Sequence, residues 1–61
     1  MANLTDKELK AIEDQMGAEK LLVSKFRSYA AMTTDPQFKT QCDNIAARHQ
    51  SHFDRLMGYL N

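Results

Sequence analysis

The sequence predicts an all-α fold, an antiparallel helical hairpin that pairs with a second copy to build a four-helix bundle. Three observations predict it. Two long stretches carry apolar residues at alternating three- and four-residue steps, the rhythm of one face of a helix. A single break, Thr33-Thr34-Asp35-Pro36, separates them. The chain has 61 residues, and two amphipathic helices of that total length bury too little surface to close a core alone.

Helix 1 starts with Thr5-Asp6-Lys7-Glu8, which reads as a capping box. The Thr5 hydroxyl accepts from the amide of Glu8 and the Glu8 carboxylate accepts from the amide of Thr5, while Leu4 and Leu9 flank the box as a hydrophobic staple. Its stripe runs Leu9, Ile12, Met16, Glu19, Val23, Phe26, Ala30, with Leu22 and Tyr29 widening one side. Glu19 is the one polar interruption. Pro36 disfavours helical geometry at Asp35, so helix 1 is predicted over about 5–33.

Helix 2 is predicted over about 36–60. Asp35 suits its N-cap, and Pro36 suits the first helical position because the missing amide hydrogen would find no partner there anyway. The stripe runs Phe38, Cys42, Ile45, His49, His52, Leu56, Tyr59, broadened by Ala46, Phe53 and Leu60. Both histidines occupy positions where an aliphatic residue is expected. The short connection forces the helices antiparallel. Glu19 precedes the bend by about as many residues as His49 and His52 follow it, so at roughly 1.5 Å per residue the three lie within one turn of a common level.

One domain, 1–61, is all that fits. A homodimer is the smallest symmetric assembly that covers both stripes together with Leu22, Tyr29 and Phe53. Eight basic and eight acidic residues give zero formal net charge, so no electrostatic footprint marks a nucleic acid or an anionic membrane as a partner. The sequence has neither a membrane-length apolar run nor a basic start followed by an apolar stretch, which leads to the expectation of a cytoplasmic protein. The lone Cys42 falls on the buried stripe and reads as a small hydrophobe, with a pairing of its two copies across a dimer as the alternative. Lys20, Lys25, Arg27, Arg48 and Arg55 form no contiguous basic face. Tyr29 and Tyr59 read as core-edge packing, and Leu21 and Met57 project away from the stripes, ordinary as stray apolar surface residues, with contacts between bundles in a larger assembly as the alternative. Gly17, two residues before Glu19, would ease a local distortion of the helix.

Glu19, His49 and His52 are the candidate chemistry. Bundles that bind metals project a carboxylate from one helix and a pair of ligands three residues apart from its neighbour, and His49-x-x-His52 has that spacing. Two imidazoles and one carboxylate suit zinc, iron or manganese and leave coordination positions open. The competing reading is a hydrogen-bonded polar layer without metal, which fixes register and oligomeric state. For catalysis the sequence offers no nucleophile beside a base and no substrate-shaping loop, so no catalytic residue is expected.

The run Leu4-Thr-Asp-Lys-Glu-Leu9, Glu13-Asp-Gln with Ala18-Glu-Lys-Leu-Leu22, Tyr29-Ala, the Thr-Asp-Pro turn, and Ile45-Ala-Ala-Arg-His-Gln50 with His52 together resemble the small spore coat proteins of the coat-protein-F type. The resemblance covers almost the whole chain. It implies a ferritin-like hairpin made in the mother-cell cytoplasm and associated with the spore coat, with other coat proteins as partners and no well-established enzymatic activity. The wider ferritin-like pattern would place Glu19 and His52 on metal-ligand positions. His49 stands where that pattern has a bridging glutamate, so a site for one cation fits this sequence better than an iron-oxidising pair. Two functions follow as expectations: a structural, self-associating coat-like protein, and a metal-binding or metal-dependent redox protein centred on Glu19, His49 and His52.

Overall fold

The computed structural model describes residues 3–60. They form two helices packed antiparallel, α1 (Asp6–Met32) and α2 (Pro36–Met57), and a terminal 3-10 turn, Gly58–Leu60. No strand occurs among the described residues.

The caps are those written in the sequence. The Thr5 hydroxyl accepts from the Glu8 amide at 3.1 Å, and the Glu8 carboxylate accepts from the Thr5 amide at 2.9 Å. Leu4 and Leu9 beside the box are both half-buried. At the other end Thr33 caps α1 in an extended conformation, its amide donating to the Tyr29 carbonyl at 3.1 Å. The Thr33 hydroxyl accepts from the amide of Asp35, and the Asp35 carboxylate accepts from the amides of Gln37 and Phe38. Pro36 follows in the first turn of α2. The end of α1 has no basic residue of its own, and Lys39 from α2 supplies one: its ammonium donates to the Ala30 carbonyl at 3.2 Å. A backbone acceptor that the helix cannot satisfy internally is thereby paired across the bend.

The seam between the helices is narrow. Met16, Glu19, Val23 and Ala30 from α1 are buried, and so are Cys42 and Ala46 from α2. Helical geometry explains which neighbours are left out. Two helices bury one line of side chains each, and the stripe of α2 is broader than that. The hairpin centres it on Cys42 and Ala46, leaving Ile45, His52 and Leu56 half-buried and Phe38 and Tyr59 exposed. Tyr29 is likewise exposed on the α1 side. At 100° per residue, Leu22, Phe26 and Tyr29 flank the seam on the same side as Ile45, His52 and Tyr59.

The hairpin thus has two unlike faces. One carries Leu22, Phe26, Tyr29, Ile45, Leu56 and Tyr59; the other carries Glu13, Lys20, Asp43 and Asp54, all exposed. Its Cα radius of gyration is 14.3 Å, with extents of 46 × 15 × 11 Å, whereas a compact domain of this length has about 10.5 Å.

Three expectations are revised. The second helix ends at Met57 and finishes as a 3-10 turn, Gly58–Leu60, where the Gly58 amide is shared among the carbonyls of Asp54, Arg55 and Leu56 instead of extending one α-helical bond. Cys42 faces the seam inside one hairpin at 1% exposure, so its sulfur is not presented to a second copy. Gly17 sits in an unbroken helix with open space beside its Cα, and eases no distortion. Leu21, at 69% exposure, and Met57 do project outward.

Candidate functional site

Glu19 is the middle residue of the 27 in α1 and the one buried charged residue among those described. It reaches across the seam to α2, where His49 and His52 stand one turn apart. The carboxylate oxygen Oε1 lies 2.6 Å from His49 Nδ1 and 3.5 Å from His52 Nδ1. The second oxygen, Oε2, accepts from the Gln15 side-chain amide at 3.0 Å, one turn earlier on α1.

This geometry sets the charge of the site. The Gln15 amide and then the His49 hydrogen bond hold the Glu19 carboxyl below the ordinary value of 4.5, against the upward push of burial, and the charges of His52 and His49 act in the same lowering direction. Hydrogen bonds to the ionised form favour it. An ionised carboxylate only accepts, so the His49 Nδ1 at 2.6 Å must be the donor. That assignment leaves Nε2 as the nitrogen without an assigned bond. Glu8, at the helix start, is also held below 4.5 by its bonds from the Thr5 backbone and side chain.

The rings are braced by packing. Phe26 lies nearly parallel to His49, with centroids 6.5 Å apart and 21° between planes, and Tyr29 meets Phe26 edge-on at 5.6 Å. His49 and His52 themselves meet edge to face at 5.6 Å. No buried side-chain nitrogen or oxygen is without a partner among the described residues. The cluster is closed toward the seam and open toward the apolar face, where the His52 side chain keeps 38% of its exposure.

All three residues expected from the sequence therefore meet, with one ligand atom from each within 4.8 Å of the others. Gln15 was not among them. Its signal was the four-residue spacing to Glu19, which places both side chains on one helix surface, but an exposed glutamine at that spacing is too common to stand out. Among the described residues no pocket is found, and no helix is long and apolar enough to cross a membrane. No family model, curated protein or solved structure matches the chain.

Proposed function

We propose that this chain is a structural, self-associating module: two hairpins pack apolar face on apolar face into a four-helix bundle, with the Glu19-His49-His52 layer at mid-height. One observation carries the reading, the division of the hairpin into an apolar and a charged face. Its accessible surface is 4720 Å², while a compact monomer of this mass exposes roughly 4,000 Å². The excess of about 700 Å² is close to the roughly 800 Å² that each partner buries in a standard interface. A second copy is the occupant that fits. The face carries no charged side chain along its middle for a charged partner to complement, and an isologous contact needs only a self-matching apolar stripe.

The polar layer adds specificity to that association. Glu19 lies at the centre of α1, so full overlap of two hairpins puts both copies of the layer at one level. A slip by one turn would set the half-exposed His52 imidazole against aliphatic side chains, at a desolvation cost. A role in a spore coat, made in the mother-cell cytoplasm and contacting other coat proteins, is supported by the sequence resemblance alone. The coat role would use the outward-facing Leu21 and Met57 as contacts between bundles.

The test compares two adjacent leucines. Leu22→Glu places a charge on the apolar face and shifts sedimentation from dimer to monomer or to an unfolded chain, whereas Leu21→Glu, one residue away on the outer surface, leaves the dimer intact. Equal masses for both variants and the parent at every concentration would refute the pairing.

A further inference from the structure

We infer that Glu19, His49 and His52 form a mononuclear site for a zinc-class divalent cation, one per hairpin. The donor set is two imidazoles and one carboxylate, drawn from two helices. That is the three-ligand set with which zinc leaves a fourth position free.

The distances fit one ion. Ligand atoms of a tetrahedral zinc stand about 3.3 Å apart, given metal–ligand bonds near 2.0–2.1 Å. The His52 Nδ1 to Glu19 Oε1 separation is already 3.5 Å, and that of His49 is 2.6 Å, the length of the hydrogen bond the cation replaces. His49 meets the cation through Nδ1 once the proton there moves to Nε2. The three donor atoms lie within 4.8 Å of one another, and side-chain rotation at Glu19 and the two imidazoles draws them to one centre.

The surroundings favour binding over a chance cluster. Gln15 holds the far oxygen of Glu19 at 3.0 Å, the outer bond that orients a ligating carboxylate. Phe26 stacks on His49 and fixes its ring plane. The half-exposed His52 leaves one side open, so a hydrated cation has an entry path and a water can keep the fourth position. Imidazole nitrogen discriminates against magnesium and calcium, which prefer all-oxygen shells.

The experiment titrates zinc chloride, with magnesium chloride as control, into the full chain prepared without a histidine tag. Calorimetry and zinc-dependent melting are read together. The expected result is one zinc per chain, a rise in Tm with zinc and none with magnesium. Gln15→Leu weakens zinc by about 10-fold, the usual cost of losing an outer-shell partner, and His52→Ala weakens it further. His52 makes one 3.5 Å polar contact and one edge-to-face contact with His49 and is half exposed, so His52→Ala keeps its helix content by circular dichroism and separates lost binding from lost folding. Wild type and His52→Ala taking up zinc alike, or no saturable uptake by either, would overturn the site. Sedimentation of the same samples keeps this inference apart from the pairing of hairpins: a dimer that takes up no zinc refutes the site alone, and a monomer that takes up one equivalent supports it.

Discussion

His49 and Glu19 stand 30 residues apart in the chain and 2.6 Å apart in space, an imidazole donating to a carboxylate across the hairpin. No other side-chain hydrogen bond among the described residues joins positions so distant in sequence. It links the midpoint of α1 to α2 in a seam otherwise lined by Met16, Val23, Ala30, Cys42 and Ala46, with His52 beside it and the Lys39–Ala30 bond near the bend. In the absence of metal it adds little net stability, because a carboxylate drawn into a seam loses hydration that its partners only partly restore.

Replacing Glu19 with leucine therefore raises the Tm of the chelator-treated protein, since an aliphatic side chain suits the seam between Met16 and Val23. The same change broadens the distribution of assembled species. Thermal melting followed by circular dichroism and sedimentation velocity measures both, and a lower Tm would contradict the layer's assignment.

Gly17 offers a gain in stability. It lies inside α1 with no atom within 4 Å of an added Cβ, and helical glycine costs about 0.5–1 kcal/mol relative to alanine. Gly17→Ala is expected to stabilise the fold by that amount in urea denaturation at fixed protein concentration. A loss would mean that the Gly17 surface is covered by a neighbour.

Asp35 supports the start of α2 through two amides, and losing such a cap costs about 1 kcal/mol. Asp35→Ala should lower stability by about that much, while Asp35→Ser keeps most of it. The same denaturation assay separates the two.

Acid should weaken the fold in a defined direction. Glu8 and Glu19 are both held below 4.5 in the folded chain, so each contributes stability that is fully present above that value and is lost as pH falls through the lower folded value. Melting temperatures measured from pH 7 down to pH 3 should fall below about 4.5. Glu8→Gln, which keeps a side-chain acceptor for the Thr5 amide without a titrating charge, should flatten part of that fall. A flat profile in the parent protein would contradict it.

Much of this was legible in the sequence because its signals are local. The capping box at Thr5, the Asp35-Pro36 start and the three- and four-residue steps each act within one or two turns, and each produced the element it predicts. The Glu19-His49-His52 cluster was legible because polar residues on an apolar stripe are few. What the sequence did not disclose depends on rotation of a whole helix about its axis. The predicted stripe of α2 runs through Ile45, with Ala46 only broadening it, yet the hairpin buries Ala46 and leaves Ile45, Phe38 and Tyr59 toward the open side. A small residue at the contact lets the helix backbones approach, and no local pattern announces that choice. Gln15 was hidden for a related reason, since its role exists only once Glu19 turns inward.

The most direct test of the central claim is the solution mass of the purified chain, measured by light scattering across a concentration series. Closure of the apolar faces predicts twice the chain mass of 7.0 kDa, reached cooperatively with helix content as concentration rises. A fully helical species that stays at 7.0 kDa throughout the series would contradict the account.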